Sequence, residues 1–329
     1  MKKALICGVT GQDGSYLAQF LLAKGYQVWG TSRDAQTSSL TGLKTLGIEG
    51  RVLMLSMAPN DFRSVLTALE MSDPDEIYFL SGQSSVGLSF EQPAETLDSI
   101  VTGILNLLEV LRLRKKQARL YNASSSECFG DTGITPANVF TPFRPRSPYA
   151  VAKASAHWLV ANYREAYCLF ACNGILFNHE SPLRPHRFVT QKIVHAAYRI
   201  AKNDNEHLIL GRLDISRDWG WAPEYAVAMW LMLQQDRPSD FIVATGETNR
   251  LEDFVATAFG YFGLDWRTHV ETSLALHRPD DVLYSKADPS ATLAALGWQA
   301  RYRMHDVIAM MCEAVIKDNS LNGYLTFRH

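Results

Sequence analysis

Gly8-Val9-Thr10-Gly11-Gln12-Asp13-Gly14 lies between an apolar run, Ala4–Gly8, and an amphipathic one, Gly14–Lys24, in which Leu17, Phe20 and Leu21 share a face. Three glycines at GxxGxxG spacing between a strand and a helix make a tight turn. Such a turn brings backbone N–H groups and a helix N-terminus up to a pyrophosphate. Gly8, Thr10, Gly11, Gln12, Asp13 and Gly14 are therefore candidate cofactor-binding residues. A glycine triplet alone says little; its place after the first strand of a βαβ start makes it informative. The second strand, Gln27–Gly30, runs on into Thr31-Ser32-Arg33-Asp34, where the adenosine ribose of a dinucleotide is met. Arg33 suits a 2′-phosphate and hence NADP, whereas Asp34 suits a free 2′-hydroxyl and hence NAD. The residues alone leave both open.

Working outward, short apolar runs alternate with longer amphipathic ones. Strands are expected at Arg51–Leu55, Glu76–Leu80, Arg119–Ala123 and Phe170–Phe177, and helices at Phe62–Met71, Ala94–Leu113 and Pro148–Tyr167. Strands alternating with helices imply βαβ units and a parallel sheet. The fold class is thus α/β, a Rossmann-type doubly wound parallel sheet with a smaller, interleaved C-terminal substrate domain. After Phe177 the pattern loosens: helices are expected at Phe188–Ala201, Leu251–Phe262 and Met304–Lys317, with strands at Leu208–Gly211 and Phe241–Ala244. Residues 1–178 and about 226–246 are assigned to the dinucleotide-binding domain. Residues from about 179–225 and 247–329 are assigned to the smaller substrate domain.

The 329 residues carry 32 Lys+Arg against 34 Asp+Glu, a balance that argues against a general nucleic-acid binder. No apolar run nears the ~20 residues of a membrane span, and Met1-Lys2-Lys3 leads straight into the first strand. The cysteines, Cys7, Cys128, Cys168, Cys172 and Cys312, are odd in number and lack zinc spacing. Buried reduced thiols in a cytoplasmic protein are expected. His179-Glu180 lacks a third ligand at useful spacing, so no metal site is expected.

Tyr149 and Lys153 form a YxxxK pair at a helix start, on one face by their four-residue offset. An ammonium beside a phenol lowers the phenol pKa, so Tyr149 is a candidate base near neutral pH. Upstream, a strand ends in Ala123-Ser124-Ser125-Ser126-Glu127, and strand C-termini face the ligand crevice of open α/β sheets. Ser125 is placed to bond a substrate hydroxyl. Glu127 adds a second acid/base, which alcohol oxidation does not need but water elimination does.

GVTGQDGSYL from Gly8, SSSE from Ser124, TPFRPRSPYAVAK from Thr141, NYREAY from Asn162, CNGILFNHESPLR from Cys172, FVTQK from Phe188 and RDWG from Arg217 together carry a resemblance over nearly the full length. The chain resembles the GDP-mannose 4,6-dehydratases of the extended short-chain dehydrogenase/reductase superfamily. The resemblance implies a tightly held NADP, a GDP-hexose substrate and a homodimer or homotetramer. It implies that Tyr149, helped by Lys153, removes the 4-hydroxyl proton as C4 gives up hydride. Glu127 then takes the C5 proton and returns one to the departing 6-hydroxyl, and hydride passes to C6. By position in the family pattern, Asn178, Val189, Lys192, Arg217 and Arg278 hold the GDP part. Arg212 stands near a usual asparagine and is added to that set.

Within the catalytic set Ser125 replaces a threonine and keeps the hydroxyl; the other departures fall on the rim. Asp34 replaces an arginine, Ser56 an aspartate and Gln191 an arginine; Pro185-His186-Arg187 replaces a glycine-containing loop; and Asp281 is a methylene shorter than the usual glutamate. This pattern allows the same chemistry on another GDP-sugar, such as a GDP-manno-heptose. A reductase or epimerase acting on a GDP-4-keto-sugar is the runner-up, disfavoured by Ser125 and Glu127. A non-catalytic nucleotide-sugar sensor is disfavoured by the intact Tyr149, Lys153 and Glu127. The loop Ala35–Thr41, which lies near a subunit contact in the family, has lost its usual charge, so a dimer is favoured over a tetramer.

Overall fold

The computed structural model describes residues 1–114, 117–202 and 206–326, with 319–326 as backbone alone. Six strands, β1 (Lys3–Cys7), β2 (Gln27–Ser32), β3 (Leu53–Ser56), β4 (Glu76–Phe79), β5 (Arg119–Ser125) and β6 (Ala171–Leu176), join a seventh, Phe241–Val243, in one sheet. The order across it is seventh, β6, β5, β4, β1, β2, β3, and every pairing is parallel. The chain winds one way from β1 to β3 and the other way from β4 outward. A crevice at the strand C-termini opens at such a switch point. The glycine turn after β1 and the Ser124–Glu127 segment after β5 both lie on that edge.

Side chains on β1 alternate between the sheet faces. Ala4 and Ile6 join a core with Leu17, Ala18 and Leu21 of helix Gln12–Ala23 and Met229 and Leu233 of helix Ala222–Leu233. Leu5 and Cys7 join another, with Val65 and Leu69 of helix Phe62–Ser72 and Ala152, Ala156 and Val160 of helix Pro148–Tyr167. A strand buried on both faces carries no polar alternation, which is why Ala4–Cys7 reads as a continuous apolar run. A third core gathers Ile193 and Ala197 of helix Val189–Ala201, Phe254 and Phe259 of helix Leu251–Tyr261, and Val307, Ile308 and Met311 of the last helix. That helix, Met304–Thr326, runs beyond the expected Lys317.

Helix Pro148–Tyr167 has the expected bounds: Ser147 caps it by accepting from Ala150 N–H at 3.1 Å, Pro148 opens it, and Cys168 closes it at φ 54°. The regular helix expected over Ala94–Leu113 is instead interrupted. Segment Pro93–Leu97 passes into a wide turn of π type at Asp98–Thr102, and regular helix resumes at Gly103–Leu113. The extra residue per turn seats Ile100 in the core beneath Gly82, where a Cβ would come within 2.9 Å of the Ile100 side chain. Strand β6 ends one residue before Phe177, and Asn178–Glu180 pairs separately with Trp219–Trp221. Four of the five cysteines are buried; Cys168, at the helix end, is exposed. Among the described residues no helix is long and apolar enough to cross a membrane.

Candidate active site

Backbone geometry accounts for the glycine turn. Gly8 has φ +88°, a left-handed conformation, and a Cβ there would meet Leu80 and Ser81 backbone at 3.2 Å. At Gly14 a Cβ would sit 2.4 Å from the Gly8 carbonyl oxygen, so only glycine lets the helix approach the turn. Gly11 caps helix Gln12–Ala23 with extended backbone and no side-chain bond, which leaves the helix N-terminus free for an anion. These features fit a dinucleotide pyrophosphate.

The side chains of Gln12 and Asp13 turn inward. Gln12 donates to His179 O at 3.2 Å and accepts from the Ser181 hydroxyl at 2.8 Å. Asp13 Oδ2 lies 2.9 Å from His179 Nε2, while His179 Nδ1 faces Phe177 O at 2.7 Å and the ring stacks on Tyr225. With acceptors on both nitrogens the imidazole is held as a cation. Despite burial, which pulls the other way on each partner, Asp13 is lowered to about 2 and His179 is raised. At the β2 end, Arg33 is exposed, its guanidinium 3.9 Å from Glu95. The Asp34 carboxylate is committed to its own turn, accepting from Gln36 N–H at 2.9 Å and the Thr37 hydroxyl at 2.8 Å. Ser56 Oγ accepts from Ala35 N–H at 2.9 Å and ties the same loop to β3.

A cleft of about 420 Å³ opens beside the turn, and its walls include Ser125, Glu127, Tyr149 and Lys153 together with Asn178, Val189, Lys192, Arg212, Arg217 and Arg278. Every catalytic and substrate-binding candidate named from the sequence thus lines one cavity. Ser125 ends β5 and accepts from Glu127 N–H at 3.3 Å, which aims the glutamate at the cleft from the first turn after the strand. Ser125 lines the cleft beside the Tyr149 phenol. Lys153 donates to Ala123 O at 2.8 Å, and its Nζ is 5.9 Å from the Tyr149 ring centre. Here the expected electrostatics are corrected. Burial raises the Tyr149 phenol well above its ordinary value, and the Ser125 hydroxyl and the Arg184 charge offset only part of this. Burial likewise pushes Lys153 down to about 8, so much of its charge is lost just above neutrality. A lysine that gives its hydrogen bond to a carbonyl orients the site more than it acidifies the phenol.

In the same lining, Arg217 is buried, donates to Ser216 O at 3.0 Å and faces Asp281 at 3.6 Å; Arg278 faces the same carboxylate at 3.5 Å. Arg212 is paired with Asp214 at 2.6 Å. Val189 opens a helix whose cap residue, Phe188, makes no side-chain bond, so its N–H groups are free toward the cleft. Gln191 is buried and donates to Ser181 O at 2.9 Å, well placed to brace the wall. Trp219 packs on Phe254.

Arg184 and His179 were missed by sequence reasoning. Arg184 lines the cleft, lies 3.8 Å over the Phe188 ring and sits 3.3 Å from Glu180 without hydrogen-bond alignment, so its Nε is buried and unsatisfied. The sequence signal was its place in the quoted FNHESPLR stretch.

The family model for "GDP-mannose 4,6 dehydratase" matches residues 5–311. The chain belongs to the GDP-mannose 4,6-dehydratase family. Curated relatives include GDP-mannose 4,6 dehydratase 1 of Arabidopsis thaliana, 44% identical with 95% of this chain and 89% of that protein covered. The GDP-mannose 4,6-dehydratase of Vibrio cholerae is 41% identical, with coverages of 94% and 92%. Among solved structures, a dTDP-glucose 4,6-dehydratase of Bacillus anthracis in complex with NAD has a TM-score of 0.85 at 18% identity, covering 97% of this chain and 98% of its own. A UDP-glucose 4-epimerase of Thermus thermophilus has a TM-score of 0.83 at 24% identity, covering 96% and 99%. Both share the extended Rossmann-type fold with this family member.

Proposed function

We propose that the protein dehydrates a GDP-hexose, GDP-mannose foremost, to the GDP-4-keto-6-deoxy sugar, as an intramolecular redox lyase. The observation that carries this reading is the placing of Glu127 in one cleft with Ser125, Tyr149 and Lys153 and with the guanidinium groups of Arg217 and Arg278. Planar donors suit a diphosphate, and a carboxylate beside a tyrosine base is what elimination requires. A nicotinamide dinucleotide, when bound, supplies the acceptor and then the donor of hydride.

This chain's residues handle the protons. Tyr149, as the phenolate that the positive charge of a bound oxidised nicotinamide would favour against the burial penalty, takes the 4-hydroxyl proton, with Ser125 holding the hydroxyl. Glu127 takes the C5 proton, made acidic by the new 4-ketone, and passes it to the 6-hydroxyl, which leaves as water. Tyr149 then holds the remaining proton for C5, so the set returns to its starting state.

NADP is favoured over NAD, because Asp34 is bonded into its own turn and Arg33 is exposed at the strand end. Residues 1–178 and about 226–246 serve the dinucleotide, and about 179–225 and 247–329 the nucleotide sugar. Exposed Val151 and Trp158, seven residues apart on helix Pro148–Tyr167, with exposed Leu97 and Leu113, support a homodimer built on that face. A cytoplasmic setting agrees with the thiols and the chemistry.

Incubating the purified protein with GDP-, UDP- and dTDP-sugars and reading products by mass spectrometry tests the reading. Loss of one water from GDP-mannose, without consumption of added cofactor, is expected. The panel includes a GDP-manno-heptose, because the Pro185-His186-Arg187 stretch at the mouth departs from the family. Absence of water loss from every GDP-sugar would overturn the dehydratase reading.

A further inference from the structure

Three consecutive residues at the end of β5 face three residues that recur every fourth position on one helix. Ala123 O accepts from Lys153, Ser124 Oγ lies 3.3 Å from His157 Nδ1, and Ser125 lines the cleft beside Tyr149. Tyr149, Lys153 and His157 therefore form one stripe on helix Pro148–Tyr167. The first two belong to the catalytic set, and the third has no part in the chemistry described above.

His157 is buried, with its ring edge against Phe143 at 4.8 Å. Its Nε2 faces Asp240 Oδ2 at 3.7 Å. Asp240 is itself fixed: Arg164 donates to its two oxygens at 2.7 and 2.9 Å, and Asn173 N–H donates at 2.7 Å. Asn173 also donates to His157 O at 3.2 Å and accepts from Asn122 at 2.8 Å. A carboxylate facing Nε2 sets the tautomer with the hydrogen on Nε2, which leaves Nδ1 as an acceptor. The Ser124 hydroxyl is the donor in reach of Nδ1, and the other acceptor near that hydroxyl, Cys128 Sγ, is farther from Ser124 Oγ at 4.0 Å. Burial holds the imidazole neutral against the pull of Asp240, as acceptance at Nδ1 requires.

We propose that His157 is a positioning residue: by accepting the Ser124 hydroxyl on Nδ1, with Asp240 fixing its tautomer, it locks the end of β5 to the helix that carries Tyr149 and Lys153. Its consequence is geometric. Ser124 lies between the carbonyl that orients Lys153 and the hydroxyl that lines the cleft beside Tyr149, so a slack Ser124 loosens both. Misplacement of reacting groups on this scale lowers the rate of the chemical steps with little effect on nucleotide-sugar binding. The inference rests on the reading that Tyr149 and Lys153 act in the dehydration.

Four variants test it: His157→Phe, which fills the ring space without an acceptor; His157→Asn, whose Oδ1 replaces Nδ1; Ser124→Ala; and the Ser124→Ala/His157→Phe double. Expected is a fall in kcat of about tenfold, the worth of one buried hydrogen bond, in His157→Phe and in Ser124→Ala. KM should be unchanged, His157→Asn should recover to near the parent, and the double should be no worse than either single. Unchanged kcat in Ser124→Ala, multiplicative losses in the double, or His157→Asn as slow as His157→Phe would overturn the proposal. Nitrogen-15 histidine NMR of the same proteins gives a reading independent of turnover. The His157 signal should be that of the neutral Nε2–H form, with an Nδ1 shift that moves in Ser124→Ala. An Nδ1–H form, or no response, overturns the proposal even if the enzyme dehydrates GDP-mannose. A parent protein inactive on every GDP-sugar but with the expected NMR signature would instead sink the dehydratase reading alone.

Discussion

His179 Nε2 and Asp13 Oδ2 stand 2.9 Å apart and bind the cofactor turn to the segment that leaves the sheet after β6. Removing one partner of a buried pair leaves an uncompensated charge, so Asp13→Ala should destabilise the protein by about 3 kcal/mol. The pH signature follows from the two shifts. His179 is raised, so its contribution is full below about 6.5, the ordinary histidine value, and is lost as pH rises through the folded value. Asp13 is lowered to about 2, so its contribution is full above 3.8 and is lost as pH falls toward 2. Urea unfolding at pH 5, 6.5 and 8 should show the parent losing stability at the top of this range. Asp13→Ala should lack that loss.

Lys153 contributes in the opposite sense. Its folded value of about 8 lies below the ordinary 10.5, so the unfolded chain binds more protons between these limits, and this group makes stability rise as pH passes through that window. Lys153→Met should therefore raise the melting temperature at pH 7, with the gain shrinking toward pH 10, while abolishing turnover. A variant that melts lower than the parent at both pH values would show that the Ala123 hydrogen bond outweighs the buried charge.

Glu127→Gln keeps the shape of the cleft and removes the proton acceptor. GDP-mannose should bind within about threefold of the parent by calorimetry, since the carboxylate is not among the phosphate-facing groups. Elimination should fall by at least about 100-fold, the usual worth of a general acid–base group. Water loss at the parental rate would remove Glu127 from the mechanism.

Arg33 is the group held responsible for choosing NADP. Arg33→Ala should weaken NADP by about 10- to 100-fold, as the loss of a charge-assisted hydrogen bond does, and leave NAD nearly unchanged. Equal weakening of both would show that Arg33 does not read the 2′-phosphate.

The parts legible in the sequence were those fixed by local chemistry. Ser147-Pro148 and the left-handed Cys168 bound the helix that carries Tyr149 and Lys153, and the glycine spacing after β1 reports a turn that a Cβ would obstruct. Other parts depend on neighbours distant in the chain. The inward turn of Gln12 and Asp13 is decided by His179 and Ser181, over 160 residues away. The commitment of Asp34 to Thr37 is local, but it became visible only with the backbone conformation of the loop. The raised phenol of Tyr149 reflects total burial, which a YxxxK spacing does not report. The interruption at Asp98–Thr102 lies in a segment whose apolar pattern is compatible with a regular helix, and the fit of Ile100 under Gly82 is a tertiary matter.

Four of the cleft's guanidinium groups are already partnered, Arg184 by Glu180, Arg212 by Asp214, and Arg217 and Arg278 by the single carboxylate of Asp281, while among the described residues Arg187 and Lys192 of the same lining have no carboxylate in ion-pair reach. A cation matched by a nearby anion projects little field beyond a Debye length, about 8 Å at physiological ionic strength. The outward pull on an anionic ligand is therefore left to Arg187 and Lys192; the diphosphate has to take the other arginines over from carboxylates once it has arrived. Association should be slower than so basic a lining implies, with a salt dependence set by those two cations alone. Asp281 is the one carboxylate that such an exchange releases from two arginines at once.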